Sequence, residues 1–173
     1  MKTNTIINAI STRRSIRKYT KDTITGDCIE AILEAGRWAP SGLNNQPWSF
    51  VTIQDAGIRN SLSALTEYSR IIKECNACIY VFYDVSEGYN RDKDILSIGA
   101  CIQNMLLAAH SLKIGSVWLG EILNRKTEVN DLLDIGPDHE LMAVIAMGHP
   151  AQSPRSSRKK LKSLILKEFS ASG

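Results

Sequence analysis

The sequence predicts an α/β (α+β) layered domain in which helices alternate with four strands. Two patterns support this class: apolar residues recur at helical spacing in several segments, and short apolar or β-branched runs lie between those segments. The length of 173 residues suits one compact domain, and no internal repeat divides the chain. We therefore expect a single domain over residues 1–173.

The N-terminal third predicts two helices and one strand. Isoleucines and leucines at helical spacing predict helices over Thr3–Arg13 and Thr25–Trp38. Pro40 ends the second helix, because the residue before a proline is pushed out of the helical region. After a loop, the aromatic and β-branched run Trp48–Ile53 predicts a strand.

The remainder of the chain predicts three helices and three strands. In order, these are the helix Ala56–Leu65, the strand Cys78–Tyr83, the helix Asp94–Leu112, the strand Ser116–Leu119, the helix Lys126–Leu133 and the strand Glu140–Met147. The helix Asp94–Leu112 has the strongest apolar periodicity and few charges beyond its first turn. Such a helix is more easily hidden in a core or a subunit interface than left in water.

Composition and charge exclude several classes of protein. The chain is 43% hydrophobic, which is too apolar for a disordered tail or linker. Lys and Arg number 21 against 18 Asp and Glu, and a net charge of +3 is too small to indicate a nucleic-acid partner. No apolar run approaches the ~20 residues of a membrane span, and the N-terminus does not resemble a secretory signal. We expect a cytoplasmic protein without a membrane partner.

The cysteine pattern leaves a redox or zinc role open but favours ordinary burial. Cys75 and Cys78 have the spacing of a redox or zinc pair, but they precede an apolar strand, whereas a thioredoxin-like pair follows a strand and opens a helix. The three histidines lack metal-site spacing. We therefore expect free thiols, including Cys28 and Cys101, and no metal site.

Two basic clusters could bind an anion. Arg13, Arg14, Arg17 and Lys18 surround Ser15. This cluster fits either a solvated surface patch or a phosphate clamp, in which guanidinium forks and a hydroxyl bind phosphate oxygens. The second cluster, Arg155–Lys160, is by itself most simply a solvated run of charge.

Two further motifs could contact a flat ligand. The loop Ala39–Trp48 is rich in amide side chains that could bind the edges of a heterocycle, but it could equally be a turn held between two prolines. In the segment Gly115–Glu121 a strand ends in glycine, so that a backbone N–H could face a flat ligand or the glycine could merely serve a turn.

Taken together, these motifs resemble the FMN-dependent nitroreductase family. RRSIRKYT, APSGLNNQPWSF, GSVWLGEI and AMGHPAQSPRSSRKKL follow the order and approximate spacing of that family, and the resemblance spans roughly residues 5–165. It implies a mixed sheet of four to five strands flanked by helices, and an interlocked homodimer with FMN sites at the subunit interface. Only Asp84–Lys93 lies where several members carry a long insertion that covers the substrate. The chain therefore resembles a short, compact member, and the cover of its substrate pocket is unidentified.

The resemblance also implies a set of FMN-binding residues. The RRS-x-R segment would bind the phosphate and ribityl chain, the PSG-x-N loop would reach the flavin from the neighbouring subunit, and the tail would add cations to the phosphate. Lys73 lies in the approximate region of a cation that faces flavin N1 and C2=O in some members. The implied residues are Arg13, Arg14, Ser15, Arg17, Pro40, Ser41, Gly42, Asn44 and Gln46, with Leu119 and Gly120 beside flavin N5 and Arg155 and Arg158 at the phosphate.

The activity implied is that of an NAD(P)H-dependent flavin oxidoreductase. A hydride would pass from NAD(P)H to flavin N5 and then, in a ping-pong cycle, to a small nitroaromatic, quinone or similar conjugated acceptor. No side chain need act as a catalytic nucleophile or base. Two alternatives stay open at this point: a flavoenzyme of the same fold with other chemistry, such as dehalogenation, ene reduction or flavin cleavage, and a non-enzymatic module that binds flavin or another anionic partner.

Overall fold

The structure, a computed structural model, describes residues 5–169. Residues 1–4 and 170–173 of the expected domain lie outside this range, as does Thr3, where the first helix is predicted to begin. Within the described range the helices are α1 (Thr5–Thr12), α2 (Gly26–Arg37), α3 (Ala56–Ser63), α4 (Ser69–Glu74), α5 (Arg91–Ser111) and α6 (Lys126–Leu133). The strands are β1 (Trp48–Ile53), β2 (Ala77–Asp84), β3 (Gly115–Leu119) and β4 (His139–Gly148).

The four strands form one sheet in the order β1-β2-β4-β3, and each neighbouring pair is antiparallel. Trp48 lies opposite Tyr83 in the first pair, and Gly115 lies opposite Gly148 in the last. The isolated bridge between Ser15 and Ser116 is parallel. With this bridge the sheet contains both parallel and antiparallel pairing and is therefore mixed. The predicted fold, an α+β sheet flanked by helices, is confirmed.

The central strand β2 separates two apolar layers. Ile79 and Val81 point into a cluster with α2 and α5, whereas Tyr80 and Phe82 point into a second cluster with α3, α4 and α6. Successive side chains of a strand alternate between the two faces of a sheet, so a strand that is covered on both faces reads as a continuous apolar run. Each fully buried aliphatic or aromatic side chain contributes about 1.5–3 kcal/mol relative to exposure.

Helix boundaries follow from caps that the apolar pattern does not reveal. Thr25 accepts a hydrogen bond from the Cys28 N–H and begins α2. Asn90 accepts one from the Lys93 N–H and begins α5 three residues before the predicted start at Asp94. Helix α4 was not among the predicted elements, because six residues are too few for a helical pattern to be recognised.

Several apolar side chains are exposed in this single chain. None of the α1 residues is buried, and Ile7 and Ile10 lie on its exposed surface. The tail from Arg155 to Phe169 is also exposed throughout, although it carries Leu161 and Leu164. No helix within residues 5–169 combines the length and the hydropathy that crossing a membrane requires.

Candidate functional site

The first basic cluster is held against strand β3. The Ile16 N–H donates to the Ser116 carbonyl at 2.9 Å, and Ile16 itself is buried. The Tyr19 hydroxyl donates to the carbonyls of Ile16 and Ala146 at 2.7 and 3.1 Å. These bonds fix the segment Arg13–Arg17 at the edge of the sheet.

The tail brings the second basic cluster to the first. A cavity of about 250 Å³ is lined by arginines, serines and a proline from both segments. The lining residues are Arg13, Arg14, Ser15, Arg17, Pro154, Arg155, Ser156 and Arg158. No carboxylate belongs to this lining. A second cavity of about 290 Å³ shares Arg13, Arg14 and Pro154 and extends past Gly115 and Ser116 at the start of β3.

The arginine-lined cavity concentrates positive charge. Burial, followed by the charges of Arg158 and Arg14, lowers the pKa of Arg13. The buried Nε of Arg13 has no hydrogen-bond partner among residues 5–169. Arg158 donates from Nη1 to the Ser156 hydroxyl at 2.8 Å and to the Ser157 carbonyl at 2.7 Å, neither of which neutralises its charge. A phosphate, which is doubly anionic and rich in acceptor oxygens, fits this cavity.

Leu119 and Gly120 lie at the end of β3. Leu119 is buried, whereas Gly120 is exposed and a Cβ built on it would meet no heavy atom within 4 Å. The carboxylate of Glu121 accepts hydrogen bonds from the Thr66 hydroxyl at 2.5 Å and from the Glu67 N–H at 3.0 Å. The Thr66 bond is the main reason that the pKa of Glu121 lies below its ordinary value. Glu121 therefore anchors the end of β3 to the turn between α3 and α4, a role that sequence reasoning missed.

The loop after α2 lies elsewhere on the chain. Pro40, Ser41 and Gly42 line a cavity of about 290 Å³ together with Leu96, Ser97 and Ala100 of α5. Within the described residues, neither arginine-lined cavity includes a residue of this loop. One chain thus unites the two basic clusters but does not bring the loop to them. Lys73 also lies apart from the two basic clusters, in a cavity with Tyr19 and Arg59.

The backbone of the loop is held in an uncommon conformation. Leu43, Asn44 and Gln46 have φ angles of 54°, 57° and 49°. Left-handed backbone costs a residue other than glycine roughly 1 kcal/mol or more, so the surrounding structure must impose it. The Ser41 hydroxyl accepts a hydrogen bond from the Gln46 N–H at 2.9 Å, and the Gln46 side-chain amide donates to the Asn44 carbonyl at 3.2 Å.

Asp94 anchors this loop to helix α5. Its carboxylate is fully buried and accepts hydrogen bonds from the Asn45 side chain at 2.9 Å, from the Tyr89 and Asn90 N–H groups at 3.1 Å each, and from the Tyr83 hydroxyl at 3.2 Å. Burial alone would raise the pKa of Asp94, but these donors hold it below its ordinary value. Sequence reasoning missed this role, because an aspartate in the first turn of a helix is ordinarily a surface residue.

The fold and the basic cavity define an α+β protein with a candidate anion-binding site. The family model described as "Nitroreductase family" matches residues 10–77 and 63–149 of the chain. The chain therefore belongs to the nitroreductase family.

Individual relatives agree with this membership. A protein of Archaeoglobus fulgidus named as an NADH dehydrogenase/NAD(P)H nitroreductase is 35% identical over 147 residues, which cover 83% of this chain and 84% of that protein. The NADPH-flavin oxidoreductase of Vibrio harveyi is 28% identical, with 87% of this chain and 68% of that protein covered. A crystal structure from Desulfovibrio desulfuricans, named as a nitroreductase in complex with FMN, is 46% identical with a TM-score of 0.93, covering 96% of this chain and 98% of that one.

Proposed function

We propose that this protein is an NAD(P)H-dependent oxidoreductase that binds FMN with its phosphate in the arginine-lined cavity. The observation that carries the proposal is the convergence of Arg13, Ser15 and Arg17 with Arg155 and Arg158 on one cavity that no carboxylate lines. The similar Desulfovibrio desulfuricans protein was solved with FMN, and the Vibrio harveyi relative is an NADPH-flavin oxidoreductase. Because NAD(P)H is a donor of the cell interior, we also propose a cytoplasmic location.

The cations are assigned to the FMN phosphate. Guanidinium groups form paired hydrogen bonds with phosphate oxygens, and the Ser15 hydroxyl adds a directional donor. Arg14 donates from Nη1 to the Ser11 and Arg13 carbonyls at 2.8 Å each, so it shapes the segment while adding charge. A bound phosphate would also offset the repulsion among these like charges.

Leu119 and Gly120 are assigned to the flavin ring. The exposure of Gly120 and the open space around it allow a flat ligand to approach the backbone closely. Glu121 holds that backbone in place through Thr66 and Glu67. Pre-positioned backbone donors stabilise charge that develops in a reaction, without a cost of rearrangement.

When bound, FMN supplies the redox chemistry, accepting a hydride from NAD(P)H and passing electrons to a nitroaromatic, quinone or similar conjugated acceptor in a ping-pong cycle. The chain itself supplies the binding cations, the fixed backbone at Gly120 and the walls of the pocket. We assign no side chain as nucleophile, general base or metal ligand. The described residues contain no group of three or more His, Cys, Asp or Glu side chains placed to hold a metal ion.

We further propose that the active form is a homodimer with two shared sites. Pro40, Ser41, Gly42, Asn44 and Gln46 would then contact the FMN held by the other subunit. Leu43, which is 85% exposed in the single chain, and the exposed apolar residues of α1 and of the tail support an interface of this kind. Apolar area of that extent on one chain is typical of a surface that a partner covers.

The test is FMN binding by the purified protein and by matched variants. Arg13→Ala should lower FMN affinity roughly 10- to 100-fold, since a hydrogen bond to a charged group contributes about 1.5–3 kcal/mol. Lys18→Ala is the control, because Lys18 is an exposed cation of the same segment that does not line the cavity. An equal loss in both variants, or no FMN binding by the native chain, would contradict the assignment.

Turnover then distinguishes the reaction from other flavin chemistry. The FMN-loaded dimer is assayed with NADH and NADPH against nitroaromatics, quinones, activated alkenes and halogenated aromatics. We expect NAD(P)H oxidation that depends on a nitroaromatic or quinone. FMN binding without NAD(P)H oxidation by any acceptor would indicate a flavin-binding module instead.

A further inference from the structure

Cys75 and Cys78 lie side by side beneath a second basic cavity. Cys75 follows the last residue of α4, and Cys78 is the second residue of β2, so the chain turns between them. Their sulfur atoms are 3.3 Å apart, and the Cys75 thiol also donates to the Ile72 carbonyl at 3.1 Å. Both thiols are free. Oxidation of the two thiols to a disulfide would shorten this separation to ~2.05 Å.

The cavity beside Cys75 is separate from the proposed FMN site. It measures about 450 Å³ and is lined by Tyr19, Thr20, Lys21, Arg59, Lys73, Glu74, Cys75 and Asn76, none of which lines an arginine-rich cavity described above. Cys75 is only 2% exposed, but it belongs to the lining of this cavity, whereas Cys78 does not. Cys78 is fully buried behind it.

Arg59 makes the cavity wall cationic. The side chain is only 8% exposed, and its Nη1 donates to the carbonyls of Gln54 and Asn76. Its Nε has no hydrogen-bond partner among residues 5–169, and none of the ion pairs within that range includes it. Glu74, the acidic residue of the lining, is paired with Arg70 at 2.7 Å. A positive charge beside a thiol favours the thiolate, which is the nucleophilic form.

The two sulfur atoms are electrostatically unequal. The hydrogen bond from Cys78 is the largest effect on Cys75 and lowers its pKa; burial opposes this, and Arg59 adds to the lowering. The same pairing, together with burial, raises the pKa of Cys78. Cys101 is a buried cysteine without such a partner, and burial raises its pKa to about 12. Cys101 therefore serves as an internal control for a buried thiol without a thiol partner.

We propose that Cys75 and Cys78 form an oxidisable dithiol site that reacts with small hydroperoxides. Cys75 is the attacking thiol because it lines the cavity and lies beside Arg59, and Cys78 is the resolving thiol because it lies in contact behind Cys75. The site is independent of FMN. The sequence favoured ordinary burial for this pair, and the cavity beside Cys75 is the feature that sequence spacing could not reveal.

The proposed reaction balances with hydrogen peroxide as the oxidant. The Cys75 thiolate attacks one peroxide oxygen, the O–O bond breaks, and the departing hydroxide takes a proton to become water, which leaves a sulfenic acid on Cys75. Cys78 then attacks the Cys75 sulfur, the S–O bond breaks, and the hydroxide leaves as a second water with the Cys78 proton. Two thiols lose two electrons and the peroxide gains them. An external dithiol reduces the Cys75–Cys78 disulfide by thiol–disulfide exchange and restores both thiols.

The experiment exposes the full-length protein to limited hydrogen peroxide, alkylates the remaining thiols, and measures the tryptic peptide of residues 74–91 by mass spectrometry. We expect this peptide to become lighter by two hydrogens and to resist alkylation. Its oxidation should be at least ~10-fold faster than that of Cys101, because a thiolate reacts far faster than a buried neutral thiol. Dithiothreitol should restore both alkylation sites. Retention of both thiols while Cys101 oxidises would overturn the proposal.

Variants separate the two roles. In Cys78→Ser, Cys75 should stop at a sulfenic acid that dimedone traps, whereas in Cys75→Ser, Cys78 should stay reduced at the same peroxide concentration. Arg59→Gln should slow the reaction several-fold, with a thermal melt to establish folding. If Arg59→Gln does not fold, the double variant Lys21→Gln with Lys73→Gln replaces it. This variant lowers the positive charge of the same cavity at two exposed positions and should also slow the reaction. Oxidation of Cys78 in Cys75→Ser at the native rate would overturn the assignment of the attacking thiol.

Discussion

A Cβ atom on Gly115 would lie 2.7 Å from Cγ2 of Ile16 and 2.9 Å from its Cβ. Real Cβ atoms essentially never approach another heavy atom so closely. Ile16 is buried and β-branched, so its side chain has few alternative rotamers. The first residue of β3 therefore sets how closely the segment Arg13–Arg17 can lie against the sheet.

Gly115→Ala should push Ile16 and its neighbours away from β3. We expect the variant to lose about 1–3 kcal/mol of unfolding free energy, the usual cost of overpacking, and to bind FMN more weakly because Arg13 and Ser15 shift with Ile16. Urea unfolding and FMN titration measure the two effects. Gly99→Ala is the control, since a Cβ on Gly99 of α5 meets no heavy atom within 4 Å and alanine favours a helix. Equal behaviour of the two variants would refute the steric argument.

Asp94→Asn should loosen the loop that begins at Pro40. The substitution removes the charge and turns an amide NH₂ toward groups that donate to the native carboxylate, which should cost about 1–3 kcal/mol of unfolding free energy. Chemical unfolding measures the loss, and hydrogen exchange at the Asn45 amide reports the loop directly. Asp92→Asn changes the same charge at an exposed position in the first turn of α5 and should have little effect. A comparable loss in Asp92→Asn would indicate a general charge effect on the helix.

The same carboxylate predicts a dependence of stability on pH. Because the folded protein holds the pKa of Asp94 below its ordinary value, the ionised group stabilises the fold above the unfolded pKa of about 3.9. This contribution is lost as pH falls through the still lower folded pKa. Unfolding free energies of the native chain and of Asp94→Asn should therefore differ by a constant amount above about pH 5 and converge below about pH 4. Curves that stay parallel down to pH 3 would show that Asp94 does not contribute through its charge.

The exposed tail predicts a defect in assembly when it is made polar. The side chains of Leu161 and Leu164 are exposed in the single chain. The double variant Leu161→Glu with Leu164→Glu should therefore leave the thermal stability of a monomer nearly unchanged. It should shift the equilibrium between dimer and monomer toward the monomer. Light scattering after size-exclusion chromatography at several concentrations measures the shift. Lys162→Glu alters charge between them and serves as the control. A native chain that is monomeric at all concentrations would remove the basis for the shared site.

Local patterns were sufficient to predict most of the fold. The strand Trp48–Ile53 and the helix Lys126–Leu133 were predicted with the observed boundaries, because turn-forming or capping residues flank a clear apolar pattern. Helix α5 begins at Arg91 rather than at Asp94, since its first turn is polar and the apolar period starts at Ile95. Local pattern also led to the two basic clusters. Their convergence was implied by the family resemblance alone, and the fold places the tail, more than a hundred residues away, in the lining of the same cavity as Arg13.

Contacts between distant segments were beyond the sequence. Nothing adjacent to Asp94 indicates that its partners include Asn45, from a loop 49 residues away, and Tyr83, near the end of strand β2. Likewise, the spacing of Cys75 and Cys78 indicated a pair, but the place of Arg59 beside them depends on how α3 packs. Side chains that act through tertiary contacts lack a periodic signature, and their roles emerge only once the elements are assembled.

Strand β3 is an outer strand of the sheet, and its outward side is covered by the chain around Ser15 and Ile16. An uncovered outer strand is a template for pairing with other molecules, so this segment also protects the protein from aggregation. The segment that is assigned to the phosphate therefore also covers the exposed edge of the sheet. A substitution there that detaches the segment would reduce soluble yield as well as cofactor content, and low recovery of such a variant is itself a consequence of the architecture.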